Sequence, residues 1–155
     1  MMMLSELSRI DKTIEIAAPP ERVWRALTNA VELSQWFRVT IEGEIAPGQE
    51  VWMTSVHAEH TGQRFRVRFA EMTPPSRLVW QWHPGAVDSG VDYSAEPRTT
   101  VTFTLEPSDR GTRLSVAETG FDQIPLARRA KVYEDNTQGW TEVLVWLQRH
   151  VEAAG

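Results

Sequence analysis

One carboxylate in this sequence is placed where it could do chemistry. Glu118 follows Leu114 and Val116 at every second position, so on a β-strand the three side chains share one face. If that face is the core, the buried carboxylate is a candidate general acid or base. The alternative is a carboxylate at the end of a strand, hydrogen-bonded to the backbone or to an arginine.

A set of aromatic side chains could bind an apolar ligand. The chain has 7 tryptophans beside 5 phenylalanines and 2 tyrosines. Large apolar clefts are common ligand sites, but aromatic rings also fill ordinary cores, so both interpretations stay open. Trp52 alternates with Val51 and Met53, and the pattern does not say which set faces inward. With Glu118 and Tyr133 as polar anchors, the candidate ligand-binding residues are Trp36, Phe37, Phe65, Phe69, Trp80, Trp82, Phe103, Glu118, Phe121, Tyr133 and Trp140.

Other residues of suitable type are weaker candidates. His57, Glu59 and His60 are of the kinds that bind metal ions, but their spacing belongs to the tip of a hairpin, where side chains point apart. We therefore predict no metal site. The sequence contains no phosphate-binding glycine loop and no Gly-x-Ser-x-Gly motif, and it indicates no cofactor.

Two surface features also bear on function. Arg64, Arg66 and Arg68 alternate with apolar residues, which is typical of a strand with one face in water. A homodimer or partner contact is the alternative for this row. The loop 84–97 is long for a segment without regular structure, and such loops often act as lids. We interpret it as a cover for one end of a cavity, with a plain connection as the alternative.

Composition excludes several classes of function. The chain has 155 residues, which suits one domain, and 41% of them are hydrophobic. Its net charge of -5 argues against nucleic-acid binding, which needs clustered Lys and Arg. There is no cysteine, and no apolar run approaches the ~20 residues that span a membrane. Residues 1–6 do not resemble a signal peptide, so we expect a cytoplasmic protein; whether Met1, Met2 or Met3 starts it stays open.

Hydrophobic periodicity predicts the elements that must position these residues. A half-buried strand covers 13–17, a helix begins at Pro20, and a second short helix covers about 31–36. Alternating patterns then predict about six consecutive antiparallel strands. These strands cover 39–44, 49–56, 63–72, 77–83, 99–105 and 112–118.

The last segment has the periodicity of one long amphipathic helix. Its predicted inner face comprises Leu126, Ala130, Tyr133, Thr137, Trp140, Leu144, Leu147 and Val151. Gly139 interrupts this helix at a cost of about 1 kcal/mol relative to alanine, so we expect something to approach its backbone closely. Helices segregated from strands indicate the α+β class, with a curved sheet around the helix and room for a cavity.

Three stretches resemble a known family. They are IAAPPERVWRALT at 16–28 with LSQWF at 33–37, PPSRLVWQW at 74–82, and ETGF at 118–121 followed by GW at 139–140. The chain resembles homologues of the C-terminal domain of the activator of heat-shock-protein-90 ATPase, in the START-like (SRPBCC, helix-grip) superfamily. The resemblance implies six or seven antiparallel strands wrapped around a long C-terminal helix, with two short helices after the first strand. It also implies a single START-like domain over 10–153 and an N-terminal extension over 1–9.

The fold hosts many functions, so three interpretations stay open. The first is a non-enzymatic module that binds a small apolar molecule, aromatic or lipid-like, between sheet and helix. The second is an enzyme of the polyketide cyclase or dehydratase type with Glu118 as acid and base. It ranks lower because no second titratable group clearly shares the site. The third is a protein-interaction domain related to chaperone ATPase activators. We expect no nucleic-acid or membrane partner, and a homodimer stays open.

Overall fold

The computed structural model describes residues 8–57, 61–84 and 92–153. Seven strands and three helices follow one another in the predicted order, and a short 3-10 turn precedes the last helix. They are β1 (Arg9–Ile16), α1 (Pro20–Thr28), α2 (Ala30–Phe37), β2 (Val39–Glu42), β3 (Glu50–Ser55), β4 (Arg64–Thr73), β5 (Arg77–Trp82), β6 (Thr99–Ser108), β7 (Gly111–Thr119) and α3 (Leu126–Ala153).

The seven strands form one antiparallel sheet in the order β1-β7-β6-β5-β4-β3-β2. Strands β2 to β7 are neighbours in sequence and in space, whereas β1 pairs with β7 in the register Arg9↔Thr119 to Ile16↔Thr112. Helices α1 and α2 therefore carry the chain from one edge of the sheet to the other. This arrangement confirms the predicted α+β, helix-grip architecture.

Local signals in the sequence explain where the two short helices begin and end. Pro20 occupies the first turn of α1, where a missing N–H costs nothing. The Asn29 side chain caps α2 by accepting a hydrogen bond from the Glu32 amide at 3.1 Å. Arg38 ends α2 in the left-handed conformation, with φ of 60°. The Trp36 indole then joins the two helices by donating to the Ala26 carbonyl at 2.7 Å.

A network of charges fastens these helices to the end of α3. Glu32 forms ion pairs with Arg22 and Arg25 of α1, each at 2.8 Å. His150 of α3 lies 2.9 Å from the same carboxylate. Three helices therefore meet at one acidic side chain on the inner side of the sheet.

One glycine makes a close approach that no other residue allows. Gly111 begins β7 with φ of 141°, and a Cβ atom there would lie 2.6 Å from the Ala18 nitrogen. The neighbouring Thr112 hydroxyl donates to the Ala18 carbonyl at 2.7 Å. The β6–β7 turn therefore packs directly against the chain that leaves β1.

The core lies between the inner face of the sheet and the three helices. The backbone of α3 runs closest to β1, α1 and α2, so large side chains bridge the distance to the central strands. Trp140, Leu144, Leu147 and Val151 are buried as predicted.

The first turns of α3 differ from the prediction. Leu126 is 74% exposed and Ala130 is also exposed, whereas Val132 is buried. The predicted inner face is wrong there because Val132, and not Leu126 or Ala130, is turned toward the core. The expected close approach at Gly139 is also wrong, since a Cβ atom there would meet nothing within 4 Å.

The structure shows which residues around Trp52 face the core. Val51 and Met53 are buried, and Trp52 faces outward opposite Arg66 in the register of β3 and β4. The Arg64 guanidinium lies 3.9 Å from the Trp52 ring centroid. The arginine row thus lies on the outer face, as predicted. No helix within the described ranges is long and apolar enough to cross a membrane.

Candidate ligand-binding site

The carboxylate of Glu118 is fully buried and accepts hydrogen bonds from four side chains. Its Oε2 accepts from the Thr99 hydroxyl at 2.6 Å and from the Trp82 indole at 2.8 Å. Its Oε1 accepts from the Trp140 indole at 2.8 Å. The Asn136 amide donates to both oxygens, at 3.0 and 3.2 Å. Of the two alternatives left open by the sequence, the structure shows the one in which Glu118 shares the inner face with Leu114 and Val116.

Three adjacent strands and one helix bring these groups together. Trp82 ends β5 and pairs directly with Thr99, the first residue of β6. Glu118 lies near the end of β7, next to that pair. Asn136 and Trp140 are four residues apart on α3 and therefore share one helical face. The network joins the sheet and α3 where their backbones are not in close contact.

All four donors are neutral groups. Glu118 forms no ion pair within the described part of the chain, although an isolated buried charge is costly unless it is hydrogen-bonded. An indole N–H can only donate, so both tryptophans need an acceptor, and an ionised carboxylate offers about four acceptor positions. The carboxylate thus holds two large rings in fixed orientations, and its lone pairs are already occupied.

Trp80 is the centre of the aromatic cluster and is completely buried. Its indole Nε1 has no hydrogen-bond partner among the described residues. Five rings surround it with centroids 4.9 to 6.3 Å away, namely those of Phe37, Phe69, Trp82, Phe103 and Trp140.

Three rings at one edge of this cluster are only partly buried, those of Phe37, Phe65 and Trp82. Phe37 and Trp82 are nearly parallel, with an interplanar angle of 22° and centroids 6.4 Å apart. Phe65 stands at 90° to Phe37 and at 75° to Trp82, with centroids 6.4 and 6.0 Å away. We call these three side chains the aromatic edge. Among the predicted aromatic residues, Tyr133 is also partly buried, but it does not adjoin these rings.

Three other predicted residues use their polar groups or rings elsewhere in the protein, although Trp36 adjoins the aromatic edge. The ring centroids of Trp36 and Phe37 are 5.4 Å apart, but the Trp36 indole donates its hydrogen bond to the Ala26 carbonyl of α1. Phe121 and Tyr133 form a separate edge-to-face pair at 5.4 Å. The Tyr133 hydroxyl donates to the Arg9 carbonyl at 3.0 Å, so it is already bonded within the protein.

Thr99 and Asn136 are the site residues that sequence reasoning missed. Thr99 is fully buried, and it has the same strand parity as the buried Val101 and as Phe103, a candidate ligand-binding residue. Asn136 precedes Trp140 by one helical turn. Both signals were present, but only the packed structure shows that they converge on one carboxylate.

The ends of the predicted lid contact the start of α3. Arg128 lies 2.6 Å from the Glu96 carboxylate and donates to the Pro84 carbonyl at 3.4 Å. His83 contacts the Glu96 carbonyl at 3.1 Å. Burial and the positive charge of Arg98 lower the pKa of His83. Residues 85–91 of this loop, and Glu59 and His60, lie outside the described residues.

The sequence model of the family described as Activator of Hsp90 ATPase homolog 1-like protein matches residues 17–152. Protein MLL2253 from Mesorhizobium loti is 26% identical, with a TM-score of 0.74 over 95% of this chain and 98% of that one. Protein CV1439 from Chromobacterium violaceum is 24% identical, with a TM-score of 0.70 over 94% and 98%.

A third solved structure, the Aha1 dimer from Colwellia psychrerythraea, is 20% identical to this chain. Its TM-score is 0.69, over 93% of this chain and 96% of that one. CV1439 and the Aha1 dimer are each less than 25% identical to this chain, so their likeness to it shows a shared fold. A search of curated proteins found no match.

Proposed function

We propose that this chain, which belongs to the Activator of Hsp90 ATPase homolog 1-like family, binds a small apolar molecule with an aromatic ring at the aromatic edge. The match to the family model confirms the family that three sequence motifs predicted. The fold of this family suits a ligand-binding domain. The observation that carries the proposal is the aromatic edge itself. Three half-buried rings of Phe37, Phe65 and Trp82 lie beside a fully buried, fully hydrogen-bonded carboxylate.

The edge is ordered before any ligand arrives. Trp82 is held by its bond to Glu118 and by its pairing with Thr99 in the sheet. Phe37 is held in the last turn of α2. A ligand that stacks on rings already in place loses little side-chain entropy on binding, which favours affinity.

In this proposal Glu118 positions the rings that touch the ligand. Its oxygens already accept bonds from both indoles, and none of its four partners is titratable near neutral pH. A general base needs a free lone pair directed at the substrate. The contacts therefore favour binding over the cyclase-type reaction, which stays the second interpretation.

Tryptophan fluorescence titration with a library of aromatic and aliphatic metabolites tests the proposal, with native mass spectrometry to detect a co-purified ligand. We expect saturable quenching by aromatic members. Phe65→Ala should weaken binding about tenfold, because one aromatic contact contributes about 0.5–1.5 kcal/mol beyond its buried area.

Trp52→Phe is the matched control, since Trp52 lies on the outer face of the sheet. Its affinity for the same ligand should equal that of the unmodified chain. Equal affinity in Phe65→Ala and the unmodified chain, or no saturable quenching by any member, would refute binding at the aromatic edge.

A further inference from the structure

We propose that the ligand carries a positive charge, in the form of an alkylated ammonium group attached to its aromatic or apolar body. This inference rests on the proposed function and names the chemical class that the same site would select. It comes from the combination of the aromatic edge with a buried carboxylate that no cation neutralises.

The aromatic edge has the geometry of a site for an organic cation. The rings of Phe37 and Trp82 are nearly parallel, and the Phe65 ring is close to perpendicular to both. All three pairs of centroids are 6.0 to 6.4 Å apart, so the three rings form one continuous aromatic surface. A cation is attracted to an aromatic face within about 6 Å of its centroid, and quaternary ammonium groups are typically bound by such sets of rings.

Trp82 connects the aromatic edge to the Glu118 carboxylate. Its Nε1 donates to Glu118 at 2.8 Å, while its ring forms part of the edge. A carboxylate that accepts from an indole N–H pushes electron density into that ring, which strengthens its attraction for a cation. Because the carboxylate is fully buried, water screens its field poorly.

Two arginines near this site are paired with carboxylates, and a third, Arg38, lies against the Trp146 ring. Arg98, next to Thr99, pairs with Glu50. Arg128 pairs with Glu96. Partial burial and the positive charge of Arg98 lower the pKa of His83, which is next to Trp82, and so disfavour its charged form. The Glu118 carboxylate pairs with no cationic side chain among the described residues, and a cation at the aromatic edge would supply that missing partner.

Three probes of the same shape separate charge from apolar contact. They are benzyltrimethylammonium, its neutral carbon isostere neopentylbenzene, and the anion benzylsulfonate. Titrations followed by tryptophan fluorescence at low and high salt give the three affinities. We expect the cation to bind at least tenfold more tightly than the isostere, as a cation–π contribution of about 1.4 kcal/mol implies. The anion should bind most weakly.

Phe65→Leu tests the part played by the ring face, because leucine keeps an apolar side chain but has no π face. The cation should lose about fivefold more affinity than the isostere, because both lose the contact between their phenyl ring and Phe65 but only the cation loses a cation–π contact. Trp52→Phe serves as the outer-face control, with unchanged affinity for both. In Glu118→Gln, if circular dichroism shows a native fold, the preference for the cation should fall towards onefold.

The outcomes distinguish this inference from the proposed function. If neopentylbenzene binds as tightly as the cation, or more tightly, the inference is wrong while binding at the aromatic edge stands. Equal losses for cation and isostere in Phe65→Leu would also overturn it. If none of the three probes binds and the metabolite screen is empty as well, both fail together.

Discussion

Replacing Glu118 by glutamine tests whether the buried carboxylate organises the site. The change is nearly isosteric, but one carboxylate oxygen becomes an NH2 group that donates. At the Oε1 position this group would face the buried Trp140 indole, which cannot accept. At the Oε2 position it would face the Thr99 hydroxyl, which can turn to accept, and the half-buried Trp82 indole.

The second arrangement is the less costly, so we expect the amide nitrogen to take the Oε2 position. Trp82 then loses its acceptor, and the remaining bonds become neutral instead of charge-assisted. A bond to a charged group contributes about 1.5–3 kcal/mol, and relief of the buried charge offsets part of this loss. We therefore expect the free energy of unfolding to fall by about 2 kcal/mol.

Urea unfolding followed by circular dichroism measures this change, and Glu106→Gln is the matched control. Glu106 lies exposed on β6, so its variant should stay within about 0.5 kcal/mol of the unmodified chain. Tryptophan emission of folded Glu118→Gln should also shift, since Trp82 loses its partner. A Glu118→Gln chain as stable as the control, with unchanged emission, would refute an organising role for the carboxylate.

Two further predictions concern α3 and its contacts. Gly139→Ala should raise the free energy of unfolding by about 0.5–1 kcal/mol, because the added methyl group meets nothing within 4 Å and alanine favours a helix; a loss of stability in urea melts would contradict this. Burial raises the pKa of Glu32, but hydrogen bonds from His150, Arg22 and Arg25 outweigh it and hold the pKa below its ordinary value of 4.5. The stabilisation is therefore complete above about pH 4.5 and is lost as the pH falls through the lower folded value. Glu32→Gln should show a shallower loss of stability below pH 4.5 than the unmodified chain, and equal slopes would count against it.

The strands and helices could be predicted almost completely because their patterns are local, whereas the helix-grip arrangement was predicted from the family resemblance. Alternation of apolar and polar residues located every strand to within a few residues, and it gave Glu118 the same strand parity as Leu114 and Val116. Trp52 could not be assigned in this way, because only the pairing of β3 with β4 shows which side of that strand faces the core.

The site depends on contacts between distant segments, which periodicity does not contain. Thr99 and Asn136 have ordinary positions on their own elements, and they matter because β6 and α3 meet at Glu118. The first turns of α3 continue the helical pattern, so Leu126 was assigned to the core although it is exposed. How far one helix packs against the core depends on the tertiary structure, and the periodicity of the helix does not contain it.

The order of strands in the sheet also has a consequence for synthesis on the ribosome. Strands β2 to β7 pair with neighbours in sequence and can form hairpins as they emerge, but β1 must wait for β7. Glu118 completes its hydrogen bonds only when Asn136 and Trp140 have also left the exit tunnel. Until then the growing chain holds a carboxylate and several tryptophans near water without their partners. That interval is when this chain most needs protection from aggregation.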